Sequence, residues 1–427
     1  MIRYAQERHA QERHAQERYA QERHAQERHA QERYAQERHA QERYAQERHA
    51  QERHARERMI KMKFKLPTYT APDFSAESLG GAPDAIFVEA PVDFVAPEGY
   101  HATTIFPEYF KVSGEWQLAK SSRMDCVAIL EGGHIHVREF RHIKRGDMVA
   151  VGRTEDGRDG IYVHPNGFAA QQAGTQESFA FRQGRSRETA FSVDYDFLYD
   201  MLRHDRENGY IVWVMGPACA FDADSRKAFS GLVEKGYVNA LLAGNALATH
   251  DLEGAYRKTA LGQDIYTQEP FPNGHYNHID TLNRVRLHGS MERFIEGEGL
   301  DDGIICSCMQ NRVPIVLVGS VRDDGPMPEV FSDAYAGQDA MRVHLSRATA
   351  VIAMATTLHT IAAGNITPMF HVLRDGTVRP VYFYTVDISE FSANKLADRG
   401  SLSAKSIITN VQDFIVQLSK ALGAWNG

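Results

Sequence analysis

Between Ile211 and Val386, short unbroken apolar runs alternate with stretches of helical periodicity. Ile211-Val212-Trp213-Val214-Met215 ends in Gly216-Pro217, and a helical pattern follows from about Ser225 to Lys235. Val238–Leu242 ends in Ala243-Gly244-Asn245, Pro314–Val318 in Gly319-Ser320, and Ala350–Met354 in Ala355-Thr356-Thr357. Val381–Val386 ends in Asp387, and helical segments such as Ala336–Arg347 and Ser389–Asp398 separate or follow these runs. Strands without polar alternation, each followed by a helix, predict a doubly wound α/β fold with a parallel sheet covered on both faces. Ligands of such sheets bind beyond the carboxyl ends of the strands. Each of these ends carries Gly or a small polar residue, which suits close approach of backbone to a nucleotide.

Upstream the rhythm differs. Cys126–Leu130, Glu131-Gly132-Gly133, His134–Val137 and Gly146–Gly152 are short apolar runs and turns, a β-strand pattern. Residues 62–165 are therefore expected to form a small β-rich domain, 166–193 (rich in Gln, Ser, Arg and Gly) a linker, and 194–427 the α/β domain. Residues 1–61 are a low-complexity tail in which Ala-Gln-Glu-Arg-His/Tyr repeats ten times from Ala5. Each residue of a helix turns by about 100°, so a five-residue repeat sends its aromatic positions around the axis and leaves no apolar stripe. The seven repeat histidines, His9 through His54, read either as a metal-binding tract or as part of a tail outside the fold. A translated DNA repeat upstream of a start at Met59 or Met62 would give the latter.

A length of 427 residues suggests two or three domains, with 43 % hydrophobic and 24 % charged residues. A net charge of −8 argues against a nucleic-acid or membrane-surface binder, either of which needs a basic face. No apolar run reaches the roughly 18 residues of a membrane span. The first residues lack the apolar core of a signal peptide. Four cysteines in so long a chain make no disulfide framework, and a cytoplasmic protein is the simplest expectation.

The strand ends supply the candidate chemistry. No G-x-G-x-x-G follows any strand, so the usual dinucleotide fingerprint is missing. Asn245 could contact phosphate or ribose, with His250 or Asp251 facing a substrate; a turn and helix N-cap is the alternative. Arg322-Asp323-Asp324-Gly325-Pro326 suits a ribose diol, a substrate ammonium or proton transfer, or a turn. Asp387 could take ribose hydroxyls or cap a helix, and Thr356-Thr357-Leu358-His359 could receive a pyrophosphate. His275, His278 and His288 lack companion ligands, so no metal is expected. Cys306-Ser307-Cys308 lacks the redox spacing and predicts buried thiols.

The stretch from Gly236 through Gly244-Asn245-Ala246 to His250-Asp251 resembles the archaeal-type ornithine cyclodeaminases, which share a region with bifunctional lysine–ketoglutarate reductase/saccharopine dehydrogenase proteins. Further matching motifs are Val313–Pro326, Leu358-His359 with Ala363-Gly364-Asn365, and Leu396–Ser401; upstream, Arg123-Met124-Asp125 and Lys144–Asp147 match the family's β-rich domain. The resemblance implies a Rossmann-like sheet similar to that of deoxyhypusine synthase, with NAD as cofactor. Carried over by position, Asn245, Ala246, Asp324, Thr356, Thr357, Leu358, His359, Asp387 and Asn410 would hold the nucleotide. His250, Asp251 and Asp323 are the catalytic candidates, with His278 behind them. The implied activity converts L-ornithine to L-proline and ammonia by internal hydride transfer, in a homo-oligomer whose partner is a free amino acid. Gln263–Pro272 and Met369–Pro380 depart from the family as insertions, and the first keeps open another NAD-dependent amino-acid or diamine enzyme of saccharopine dehydrogenase type; a non-catalytic NAD-binding protein is a separate alternative.

Overall fold

A computed structural model describes residues 64–168, 192–321, 325–373, 375–389 and 403–425. The repeat tail, most of the expected linker, Arg322, Asp323, Asp324 and most of the expected helix Ser389–Asp398 lie outside the described residues.

The upstream part contains helix α1 (Glu77–Gly80) and strands β1 (Ile86–Glu89), β2 (Glu108–Val112), β3 (Glu115–Leu118), β4 (Val127–Glu131), β5 (His134–Arg138), β6 (Met148–Val151) and β7 (Ile161–Val163). Two sheets, ordered β1-β6-β4-β5 and β3-β2-β7, pair antiparallel. Phe110, Ala119, Ala128, Ile135, Ala150 and Ile161 pack together as one buried cluster. Alternate residues face it, as a half-buried strand requires.

Downstream come α2 (Ser192–Asn208), β8 (Ile211–Met215), α3 (Ala223–Glu234), β9 (Ala240–Gly244), α4 (Asn245–Arg257), β10 (Thr259–Ala260), β11 (Gln263–Asp264), α5 (Asn277–His288), α6 (Met291–Glu298) and α7 (Ile304–Gln310). Then follow β12 (Ile315–Val318), α8 (Ala334–Leu345), β13 (Ala350–Met354), α9 (Thr357–Ile366), β14 (Phe370–Val372), β15 (Val378–Pro380), β16 (Tyr382–Asp387), β17 (Ser403–Ile408) and α10 (Val411–Ala421). Six strands form one sheet in the order β12-β9-β8-β13-β16-β17, every pair parallel.

The apolar runs lack polar alternation because both faces are covered. Ile211, Trp213 and Met215 enter one core with Phe229 of α3 and Phe414 of α10. Val212 and Val214 enter the opposite core with Met341 and Leu345 of α8 and Ala363 of α9. Each aliphatic side chain buried in this way contributes about 1.5–3 kcal/mol relative to exposure. β9 begins two residues later than its apolar run, because the Asn239 side chain accepts the Ile211 amide at 2.7 Å and the Tyr237 carbonyl accepts the Trp213 indole at 2.9 Å. The chain starts in the middle at β8, steps outward through β9 and β12, then returns to the other side of β8 at β13. That reversal opens a crevice between adjacent strand ends, where ligands of such sheets bind.

Candidate active site at the strand reversal

The two strands flanking the reversal meet backbone to backbone. The Gly216 amide donates to the Met354 carbonyl at 2.8 Å, and a Cβ on Gly216 would lie 1.8 Å from the Ala355 carbonyl oxygen. No other residue fits there. Ala355 itself has φ +52°, a left-handed conformation that costs a non-glycine residue about 1–3 kcal/mol and collects at functional sites. Its amide is anchored to the Val386 carbonyl at 3.1 Å, so the exits of β8, β13 and β16 are tied in a row.

Several residues singled out in the sequence gather on this row. Asn245 and the half-buried Ala246 open α4 directly after β9. The Asn245 Oδ1 accepts the Met327 amide at 2.9 Å, tying the loop before α8 to the exit of β9. Thr356 and Thr357 open α9, and Thr356 Oγ1 lies 3.3 Å from His359 Nδ1. A Cβ on Gly244 would lie 3.1 Å from His359 Cε1, so the exits of β9 and β13 touch across β8. Leu358 is 73 % exposed. At the end of β16 the half-buried Asp387 uses Oδ1 to accept the Ser389 amide at 2.8 Å. Asn410 stands apart in role: its Oδ1 accepts the amides of Gln412 (2.8 Å) and Asp413 (3.2 Å), making it the N-cap of α10.

His250 and Asp251 are consecutive on α4 but point to different partners. Asp251 was expected to face a substrate. Instead its carboxylate is fully buried and already filled: it accepts Arg226 Nε at 2.8 Å and the amides of Ile304 and Ile305 at 2.9 and 2.8 Å. It thus pins α3 and the start of α7 to α4. Burial alone would push the Arg226 guanidinium down; the charges and hydrogen bonds of Asp251 and Asp302 outweigh it and raise the group above its ordinary value. Gly303, at φ +108°, makes room for this pair, since its Cβ would lie 2.4 Å from Arg226 Nη2.

His250 is also buried, against the rings of Phe221 (5.4 Å between centroids) and His278 (5.9 Å). Its Nδ1 lies 2.9 Å from Oε2 of Glu253, which is fully buried. Glu253 Oε1 accepts the Thr259 hydroxyl at 2.8 Å, and the Asn277 side-chain amide donates to that hydroxyl at 2.9 Å. Sequence reasoning passed over Glu253, Thr259 and Asn277. The one available signal was the three-residue spacing of His250 and Glu253 on a helix, which places both on one face. His278 Nδ1 is buried without a hydrogen-bond partner among the described residues.

The four cysteines are free and buried, as Cys306-Ser307-Cys308 suggested, and burial pushes the thiols of Cys219 and Cys306 up to about 12. Such thiols are poor nucleophiles at neutral pH. Among the described residues no group of His, Cys, Asp or Glu is arranged to hold a metal ion, and no helix is long and apolar enough to cross a membrane. A cavity of about 300 Å³ is lined by none of the strand-end residues, but by Arg123, Asp125, Glu139 and Arg141 with Gln338 and Asn365 among others.

Comparison with known proteins agrees with this fold. The family described as arginine dihydrolase ArgZ-like, C-terminal, Rossmann fold, matches residues 197–418. An ornithine cyclodeaminase of Methanopyrus kandleri is 36 % identical over 336 residues, 78 % of this chain and 77 % of its own. The crystal structure of a conserved LOR/SDH protein from Methanococcus maripaludis S2 is 33 % identical, with a TM-score of 0.72, over 80 % of this chain and 98 % of that one. The bifunctional arginine dihydrolase/ornithine cyclodeaminase AgrE of Nostoc is 31 % identical over 77 % of this chain and 45 % of its own. With this resemblance running through both the β-rich and the parallel-sheet regions, the chain belongs to the ornithine cyclodeaminase family.

Proposed function

We propose that this protein converts L-ornithine to L-proline and ammonia, with NAD held at the strand reversal. The observation that carries the reading is the backbone contact of Gly216 with Ala355 at the switch point of a Rossmann-type sheet in a chain of this family. AgrE has been crystallised in a ternary complex with ornithine and NAD+. The residues present here fit a dinucleotide: Gly216 and Gly244 let the strand exits approach Ala355 and His359 closely, and α9 begins at the exit of β13, where its amides and dipole favour a pyrophosphate. NAD supplies the removal and return of a hydride at the ornithine α-carbon, so the conversion needs no net oxidant.

The remaining work falls to side chains. Thr356 and Thr357 offer hydroxyls and the first amides of α9 to a pyrophosphate, and Asp387 accepts from ribose hydroxyls. Asn245 and Ala246 border the nucleotide at the exit of β9, and Leu358 and His359 cover it, with Asp324 keeping the contact that the resemblance implies. Asn410 is assigned to capping, not to the nucleotide. His250 takes a proton from the substrate amine and returns one to the departing ammonia, and Asp323 remains the second acid–base candidate. The reading carries with it a cytoplasmic homo-oligomer acting on a free amino acid. Incubation with L-ornithine and NAD+ under proton NMR tests it: proline should appear without lasting reduced nucleotide. Accumulating reduced nucleotide with a keto acid would instead make the protein a dehydrogenase, and no turnover would make it a binding protein.

A further inference from the structure

Four polar groups, three of them buried and Asn277 half-buried, form a line of hydrogen bonds. The Asn277 side-chain nitrogen carries protons and no acceptor, so at 2.9 Å from Thr259 Oγ1 it must donate. The Thr259 hydroxyl then directs its own proton to Glu253 Oε1, 2.8 Å away. The second Glu253 oxygen stands 2.9 Å from His250 Nδ1. A carboxylate accepts and does not donate, so the Nδ1 proton stays on the imidazole and the lone pair is left on Nε2. Thr259 and Glu253 are fully buried, and His250 is 8 % exposed. Water is therefore poorly placed to substitute for either link made by Glu253.

We infer that Glu253, backed by Thr259 and Asn277, is a positioning residue that locks His250 in the Nδ1–H tautomer and presents Nε2 as the base. The inference rests on the reading of His250 as the proton carrier. When Nε2 takes a proton from the substrate amine, the Nδ1 proton does not move, and Glu253 Oε2 goes on accepting it from the imidazolium that forms. The line crosses three elements, α4, β10 and α5, so ring orientation is set by tertiary structure and not by α4 alone. The ring is also held from the sides by Phe221 and His278.

The test is the tautomer itself. Two-bond proton–nitrogen correlation spectra of histidine-labelled protein at pH 8, with His250→Gln used to assign the signal, should show His250 protonated on Nδ1 in the free enzyme. A wild-type signal from the Nε2–H tautomer would overturn the inference, whatever the substrate proves to be, because this readout needs no turnover. In Glu253→Gln and in the near-isosteric Thr259→Val, the Nδ1–H signal should weaken or be replaced. Where ornithine is turned over, kcat in Glu253→Gln should fall about 10²-fold with KM for ornithine within about twofold. A wild-type tautomer as inferred, in protein inactive on ornithine, leaves the lock standing and removes the substrate assignment. Folded Glu253→Gln with full kcat would remove Glu253 from catalysis.

Discussion

Replacing Asp251 by Asn separates a structural acid from a catalytic one. The change keeps the shape of the side chain and removes its charge. It leaves the Arg226 guanidinium, whose side chain is 3 % exposed, facing a neutral group at the 2.8 Å contact. Breaking a buried ion pair from one side costs about 3–5 kcal/mol. Asp302, 3.2 Å from Arg226 Nη1 and 38 % exposed, offsets part of that, which places the expected loss near the lower figure. One of the Ile304 and Ile305 amides also faces an NH2 group in place of an acceptor, and an orphaned buried amide adds about 1–3 kcal/mol. The sum, about 4–6 kcal/mol, is a large share of a typical folding free energy of 5–15 kcal/mol. Urea unfolding followed by tryptophan emission reads it well, because Trp213 is fully buried and packs edge-on against Phe229 at 5.4 Å. The midpoint should fall with little change in slope, while turnover per folded molecule stays within about threefold. An unchanged midpoint with turnover collapsing would refute the structural assignment and return Asp251 to the catalytic set. Exchanging both Arg226 and Asp251 for apolar residues should recover only part of the loss, since the two α7 amides would still lack an acceptor.

Other expectations follow from the strand ends. Gly216→Ala would force the Ala355 carbonyl away by more than an ångström; turnover should fall about 10²-fold with weakened NAD binding by calorimetry, and wild-type binding would show that the crevice lies elsewhere. Asn410→Ala should cost about 1 kcal/mol of stability as a lost cap and leave NAD affinity unaltered; a tenfold loss of affinity would restore it to the nucleotide contacts. The buried Cys219 and Cys306 thiols should react with a maleimide no faster than the protein unfolds, and rapid labelling of the native enzyme would contradict their burial.

The sheet was legible where the physics is local. Ile211–Met215 and Ala350–Met354 are five-residue apolar runs closed by Gly or small residues, and β8 and β13 match them residue for residue. β17 escaped because it is an edge strand, Ser403-Ala404-Lys405-Ser406-Ile407-Ile408, paired to β16 alone and only partly apolar. The strand exits were readable as chemistry because Gly216, Gly244 and Asp387 each close a run. The assignment of Asp251 was not, since its partners lie 25 residues upstream and 53 downstream. No spacing rule links them. Glu253 was hidden for a related reason: an acid three residues from a histidine on a helix is commonplace, and only Thr259 and Asn277 arriving from β10 and α5 turn it into a line of fixed direction. Asn410 was named through the resemblance alone, and nothing in its local sequence announced that its side chain caps α10.

The central claim is cyclisation in which the δ-amine displaces the α-amine, and isotope labelling tests it most directly. L-ornithine carrying nitrogen-15 at the α-amine should give labelled ammonia and unlabelled proline in equal amounts, dependent on NAD. Label retained in proline, or release of ammonia without proline, would contradict the account.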